Sequence, residues 1–145
     1  MDILVVVDMQ KDFISGALGT KEAQAILPRV AEKIAQAKKT GKTIVFTRDT
    51  HHENYLDTQE GKNLPVPHCI ENTDGWQLDP TLDTAGAMIF DKPSFGSEAL
   101  VRYLKSLPDL QSAEFVGLCT DICVITNVLS AKCALPELPI SVDSA

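Results

Sequence analysis

The stretch Glu114-Phe-Val-Gly-Leu-Cys-Thr-Asp-Ile-Cys123 has the pattern of a buried strand, a tight turn and the first turn of a helix. Cys123 falls at the predicted helix start, where backbone N–H groups and the positive end of the helix dipole lower the pKa of a thiol. This placement predicts a nucleophilic cysteine. The commoner alternative for any single cysteine is a small buried hydrophobic residue.

Two other apolar runs end in residues that suit such a thiol. The run Ile3-Leu-Val-Val-Val7 is followed by Asp8, a candidate base, and the run Ala87-Met-Ile-Phe90 is followed by Asp91 and by Lys92, a candidate cation. Taken singly, Asp8 is equally well explained as a cap and Lys92 as a solvated surface charge. Reactive residue types at the ends of several strands are difficult to explain by packing alone.

Strand-like and helix-like segments alternate along the chain. Strands are predicted at 2–7, 43–47, 87–90, 114–118 and near 139–142, with helices over much of 24–40, after Ser97 and after Thr120 or Asp121. This order predicts a single α/β domain over residues 1–145, with an open, mostly parallel, doubly wound sheet and helices on both faces. Such sheets bind ligands at the carboxyl ends of their strands.

Finer expectations concern two of the helices. Pro28 is expected in the first turn of the helix predicted over much of 24–40, where the missing backbone N–H of proline destabilises a helix least. In the helix that follows Thr120 or Asp121, the inward face is expected to carry four apolar residues, with Cys123 beside them: Ile122, Ile125, Val128 and Leu129.

Composition excludes some functions. A net charge of −7 argues against nucleic acid as a partner, and no apolar stretch is long enough to cross a bilayer. The start Met1-Asp2 is not that of a signal peptide, so we expect a cytoplasmic protein with reduced cysteines. A homo-oligomer is one of the states left open. The last predicted strand lies three residues from the end, from which we expect a truncated chain or a partner chain that covers this strand.

Three polar residues around the second strand predict a metal site. Asp49 and His51 are two apart in an extended segment, so their side chains point the same way. His68 returns from the long polar loop 50–80 as a third ligand. Two imidazoles and a carboxylate suit zinc, iron or manganese. His52 is left outside this set, and the alternative is that all three histidines are exposed loop residues.

Three motifs together resemble those of the isochorismatase-like cysteine hydrolases over essentially the whole chain. They are Asp8-Met-Gln-Lys-Asp-Phe13, Lys92-Pro-Ser-Phe95 and Gly117-Leu-Cys-Thr-Asp-Ile-Cys123. Within that superfamily, Asp49-Thr-His51 and Pro67-His68-Cys69 resemble the metal motif of nicotinamidases.

The resemblance implies a catalytic triad in which Cys123 is the nucleophile, Asp8 the general base and Lys92 the third member. It also implies a cis peptide bond between Leu118 and Cys119, with the N–H groups of Cys119 and Cys123 directed at the substrate oxygen. Phe13 matches a position that lines the substrate pocket. Pro65 stands where nicotinamidases often carry a ring-stacking tryptophan, and we expect Trp76 or Tyr55 to compensate.

The sequence therefore favours a metal-containing nicotinamidase, which converts nicotinamide and water to nicotinate and ammonia in NAD salvage and acts on pyrazinamide too. The implied cofactor is one divalent ion, zinc before iron or manganese. One alternative is a related hydrolase with another small amide or ether substrate. Another is a non-catalytic domain that retains the fold.

Overall fold

A single all-parallel sheet organises the part of the chain that the computed structural model describes, residues 1–144. Its five strands lie in the order β3-β2-β1-β4-β5. They are β1 (Asp2–Val7), β2 (Thr43–Asp49), β3 (Met88–Lys92), β4 (Ser112–Gly117) and β5 (Ile140–Val142). Every predicted strand is present, with small shifts at its ends, and the predicted fold class is confirmed.

Helices cover both faces of the sheet. They are α1 (Lys11–Ile14), α2 (Lys21–Lys39), α3 (Gln59–Asn63), α4 (Glu98–Ser106) and α5 (Ile125–Ala134). Short 3₁₀ turns occupy Tyr55–Asp57 and Asp74–Trp76, and a π-helical turn, Thr120–Val124, precedes α5. None of the helices within residues 1–144 combines the length and the apolar character needed to cross a membrane.

The central strand β1 is apolar throughout because both of its faces are buried. Leu4 and Val6 pack with α2 in one core layer. Val5 and Val7 point the other way and pack with α4 and α5 in the second layer. This alternation fixes the register of the strand, since a slip of one residue would exchange the two layers.

The strands bring their carboxyl ends to one edge of the sheet. Val7 is level with Thr47 on one side and with Gly117 on the other, and Asp49 is level with Lys92. Gly117 has φ +122°, and a Cβ there would collide with the Val7 carbonyl, so only glycine allows the close approach of β4 to β1. Asp8, Asp49, Lys92 and the turn before Cys123 therefore emerge side by side.

The position of Pro28 differs from the prediction. The helix α2 begins at Lys21, where the Thr20 side chain accepts a hydrogen bond of 3.0 Å from the Ala23 N–H, and Pro28 lies inside the helix. Proline cannot donate the usual bond to the carbonyl four residues earlier. Packing of Val30 and Ile34 into the core stabilises the helix despite that loss.

Val128 packs against the core as predicted, but the other three residues of the predicted inward face of α5 are wrong. Ile122, Ile125 and Leu129 are 38–61% exposed, whereas the buried side chains are Cys123, Val124, Asn127 and Ala131. Thr120 or Asp121 was expected to cap this helix, but neither side chain caps the π-helical turn. A π-helical turn holds more residues than an α-turn, so it shifts the phase of the residues around it. Periodicity read for a regular helix therefore assigned three exposed residues to the inward face.

Candidate active site

Asp8 and Lys92 form a fully buried ion pair at the edge of the sheet. The Lys92 Nζ lies 2.7 Å from Asp8 Oδ2, and both side chains are inaccessible to solvent. The other oxygen, Asp8 Oδ1, accepts a hydrogen bond of 2.7 Å from Thr47 Oγ1. The Cys123 thiol lies close enough to both charges for each of them to shift its pKa. The three residues predicted from separate strand ends are thus brought into one cluster.

Burial dominates the protonation of this cluster. It raises the pKa of Asp8, with Lys92 opposing the rise and Asp49 adding to it. Burial also raises the pKa of Cys123; the Asp8 carboxylate adds to this rise and Lys92 opposes it. The expected lowering of the pKa of Cys123 is therefore wrong. The result is a thiol that holds its proton more tightly than a free cysteine does, close to a carboxylate that can accept this proton as the sulfur reacts.

Lys92 remains a cation in spite of its burial. Desolvation alone would lower its pKa, but Asp8, Cys123 and Asp49 outweigh this effect and raise the pKa. Its ammonium group also donates to the Ser94 carbonyl at 3.0 Å. Lys92 thus places a fixed positive charge beside the sulfur, where it would stabilise a thiolate.

A second cluster lies beside the first and could hold a metal ion. One ligand atom from each of Asp49, His51, Glu60 and His68 lies within 4.8 Å of the others. His51 Nε2 is 2.9 Å from Asp49 Oδ2 and 3.0 Å from Glu60 Oε2. His68 Nε2 is 3.5 Å from Asp49 Oδ2. The structure therefore joins all three predicted ligands and adds Glu60.

Supporting hydrogen bonds orient these ligand atoms. His68 Nδ1 lies 2.7 Å from the Val66 carbonyl, which can only accept, so Nδ1 carries a proton and Nε2 faces the cluster. Gln10 holds Asp49 through both main-chain groups at 2.8 Å, accepting from its N–H and donating to its carbonyl. The His51 N–H donates to the Cys69 carbonyl at 2.9 Å, which brings the returning loop, and with it His68, against His51.

The donor set fits a divalent cation. Asp49 Oδ1 and Glu60 Oε2 are buried without a hydrogen bond, although such oxygens are normally satisfied. Burial alone would raise the pKa of Asp49, but hydrogen bonds with His51 and His68 outweigh it and lower the pKa. Across the two clusters, the three carboxylates of Asp8, Asp49 and Glu60 outnumber the ammonium group of Lys92, which pairs with the first two. One divalent ion would balance that excess of negative charge.

Aromatic rings surround the candidate metal ligands. Tyr55 packs edge-on against His51 and His68, with ring centroids 4.7 and 5.0 Å away, and Phe13 lies 5.5 Å from His68. Trp76 packs elsewhere: its ring is covered by the Arg48 guanidinium at 3.5 Å. The ring stack expected from Trp76 or Tyr55 stays a prediction, and the rings found against the ligand histidines are those of Tyr55 and Phe13.

The remaining predicted site residues are placed as follows. The peptide bond between Leu118 and Cys119 is cis. His52 is 67% exposed and pairs with Glu71 at 3.2 Å, outside the ligand cluster. Sequence reasoning missed Glu60, because it lies in a polar loop with no repeating pattern. It also missed Thr47, which looks like an ordinary strand residue.

Comparison with known proteins identifies the family. The Isochorismatase domain matches residues 2–133. The chain belongs to the isochorismatase family. The sequence is 31% identical to the nicotinamidase of Saccharomyces cerevisiae over 105 residues, which cover 54% of this chain and 48% of that protein. It is 27% identical to the nicotinamidase/pyrazinamidase of Mycobacterium tuberculosis over 141 residues, covering 86% of this chain and 75% of the relative.

A solved structure of the same family resembles the whole fold. The pyrazinamidase of Pyrococcus horikoshii in complex with zinc is 28% identical, with a TM-score of 0.77 and 99% of each chain covered. The predicted resemblance to isochorismatase-like, nicotinamidase-like proteins is thereby confirmed. These relatives also support the prediction of a hydrolase that acts on a carbon–nitrogen amide bond. The chain spans about half the length of the yeast relative, 48%.

Proposed function

We propose that this isochorismatase-family chain is a metal-containing cysteine amidohydrolase, and that its substrate is nicotinamide. The observation that carries the proposal is the contact between the two clusters: Lys92 Nζ lies 3.7 Å from Asp49 Oδ1. A thiol with its base and cation, directly beside a metal-ligand set, matches an enzyme that holds a heteroaromatic ring at one cluster and reacts with its amide at the other. The relatives, a nicotinamidase and a nicotinamidase/pyrazinamidase, support the same substrate class.

The proposed reaction begins with the thiol. As Cys123 Sγ attacks the amide carbon, Asp8 takes the thiol proton, and Lys92 stabilises the negative charge that moves onto the sulfur. The carbonyl oxygen becomes an oxyanion, which the N–H groups of Cys119 and Cys123 are proposed to bind. Asp8 then gives the proton to the leaving nitrogen, so that the C–N bond breaks, ammonia departs and a thioester remains on Cys123.

The second half of the reaction restores the enzyme. Asp8 takes a proton from water, the resulting hydroxide attacks the thioester carbon, and the C–S bond breaks. The sulfur recovers its proton from Asp8, and the carboxylic acid leaves. Nicotinamide and water thus become nicotinate and ammonia, with no change in oxidation state. The predicted place of this reaction in NAD salvage, in the cytoplasm, remains part of the proposal, as does a homo-oligomeric state.

The metal site is proposed to bind the ring. Asp49, His51, Glu60 and His68 would hold one divalent ion, with zinc favoured by the nitrogen and oxygen donors and by the zinc-bound relative. When bound, that ion would take the pyridine nitrogen of the substrate and order water. Phe13 and Tyr55 would flank the ring.

A pair of matched substrates tests the proposed function. We expect the zinc-loaded protein to release ammonia and nicotinate in equal amounts from nicotinamide, and to hydrolyse pyrazinamide as well. Benzamide has the same amide without the ring nitrogen, so we expect its kcat/KM to be lower by about 100-fold, the size of a lost charge-assisted contact. Ammonia release from another small amide alone, or cleavage of an ether such as isochorismate, would favour the related hydrolase instead. Failure with all of these substrates would favour a non-catalytic domain.

The proposed role of Glu60 makes a separate prediction about metal affinity. We expect Glu60→Gln to weaken zinc binding at least about tenfold, because an amide oxygen replaces a charged ligand. Competition with a chromophoric chelator measures this affinity without any substrate. Glu71→Gln is the control, since Glu71 pairs with His52 at 3.2 Å outside the ligand cluster. Equal zinc affinity in the Glu60 variant and the control would remove Glu60 from the ligand set.

A further inference from the structure

Asn127 is a buried polar side chain that the proposed reaction does not use. It lies on α5, fully inaccessible to solvent, and makes three hydrogen bonds to main-chain atoms. Its Nδ2 donates to the Cys123 carbonyl at 2.8 Å and to the Phe95 carbonyl at 3.1 Å. Its Oδ1 accepts from the Ser97 N–H at 2.9 Å. One amide therefore joins two separate segments of the chain.

One of these segments contains a residue of the candidate triad, and the other directly follows one. The first is the helical turn that ends beside Cys123, one turn before Asn127. The second is the segment 93–97, which follows Lys92 directly and includes Ser94, whose carbonyl accepts from Lys92 Nζ at 3.0 Å. Asn127 thus connects the main chain at Cys123 to the segment whose Ser94 carbonyl binds the ammonium group of Lys92.

Packing alone does not account for an amide at this position. Burying an amide is unfavourable unless its hydrogen bonds are made, whereas a leucine of similar size would fill the same space without that cost. The neighbouring buried residues of this face, Val124 and Ala131, are apolar. The feature that distinguishes Asn127 from them is its directional bonds to the two segments.

We propose that Asn127 is a positioning residue, which sets the distance between the Cys123 thiol and the Lys92–Asp8 pair by joining the turn before α5 to the segment after β3. The proposal rests on the proposed function for its effect on turnover. Its effect on the thiol itself is independent of the substrate. Asn127 does not touch the reacting atoms, and it acts through the two main-chain segments that it connects.

Two variants separate the bonds of Asn127. Asn127→Leu removes all three bonds. Asn127→Ser keeps a donor for the Cys123 carbonyl, in the way that Ser130 Oγ donates to the carbonyl of Thr126 at 2.7 Å on the same helix, but it cannot reach the segment 93–97. Ser130→Ala is the matched control, because it removes a hydrogen bond within α5 that does not reach either segment.

The experiment measures kcat and KM for nicotinamide, the rate at which iodoacetamide alkylates Cys123, and the free energy of unfolding in urea. We expect both Asn127 variants to lose about 10- to 100-fold in kcat with little change in KM, because a small displacement of the nucleophile slows the chemical step. We expect alkylation to slow about tenfold, since the thiol loses its alignment with Asp8 and Lys92. Ser130→Ala should match the wild type in both rates.

The outcomes distinguish positioning from a purely structural role. Reduced unfolding free energy, with kcat and alkylation equal to or above the wild type, would overturn the proposal. If the leucine variant does not fold, the serine variant decides in the same way. If the wild-type protein hydrolyses no amide but alkylation still depends on Asn127, the proposed function fails while the positioning role stands. If the wild type is active and neither rate depends on Asn127, only the positioning role fails.

Discussion

Replacement of Cys123 by alanine is expected to lower kcat for nicotinamide hydrolysis by about 10⁴-fold or more, which is the scale seen when a nucleophile is removed from a hydrolytic triad. The physical reason is that the Asp8 carboxylate and the Lys92 ammonium group both act on the Cys123 thiol, which the proposed reaction uses as its nucleophile. Cys123 is 5% exposed, whereas Cys133 lies exposed on the far end of α5. Ammonia release, followed with a coupled assay, measures the effect.

Three comparisons make this test specific. Cys133→Ala should retain wild-type activity, which controls for general loss of a thiol. Cys123→Ser should be almost as inactive as Cys123→Ala, since a hydroxyl is far harder to deprotonate than a thiol beside a carboxylate. The alanine variant should still bind zinc with unchanged affinity, because the ligand cluster does not include Cys123. Activity of Cys123→Ala near that of the wild type would remove the proposed mechanism.

Much of this site could be predicted because it lies at strand ends. The apolar runs before Asp8, Asp49 and Lys92 identify buried parallel strands, and parallel strands place their carboxyl ends at one edge. That rule brings distant residues together without any knowledge of side-chain packing. The strand-end rule does not predict the position of His68, which lies on a returning loop that main-chain bonds hold against His51. The resemblance to a family motif supplied that position.

The parts that could not be predicted depend on local departures from regular structure. Glu60 reaches the ligand cluster because α3 is a short helix whose start is fixed by the Thr58 side chain, which accepts from the Gly61 N–H at 3.0 Å. Asn127 is buried because a π-helical turn precedes α5 and alters which residues face inward. Neither the short helix α3 nor the π-helical turn produces a periodic pattern in the sequence. The raised pKa of Cys123 was missed for another reason, because the depth of burial is a property of the packed molecule.

Lys92→Met is expected to have the second-largest effect. It should lower the free energy of unfolding by about 3–5 kcal/mol and abolish hydrolysis. Methionine fills a similar volume, so the cost does not come from a cavity. It arises because Asp8, which is fully buried, loses the ammonium group at 2.7 Å, and Asp49 loses a more distant one at 3.7 Å. Urea unfolding of the metal-free protein measures this cost without a contribution from the ion.

A surface ion pair of equal length provides the control. Lys11 Nζ also lies 2.7 Å from a carboxylate, that of Asp74, but these side chains are 31% and 83% exposed. Lys11→Met should therefore cost less than about 1 kcal/mol, since water solvates the remaining carboxylate. A Lys92→Met cost no larger than that would contradict the buried pair.

The double variant Asp8→Asn/Lys92→Met shows whether the stability loss is electrostatic. Asparagine removes the unpaired charge, keeps an oxygen for the bond of 2.7 Å from Thr47 Oγ1 and tolerates the left-handed backbone of Asp8, φ +50°. We expect the double variant to be more stable than Lys92→Met alone, yet to remain inactive, because it has neither the base nor the cation. A double variant no more stable than the single one would mean that Lys92 acts through packing. Recovery of stability without recovery of activity would separate what the ion pair does for folding from what it does for the thiol.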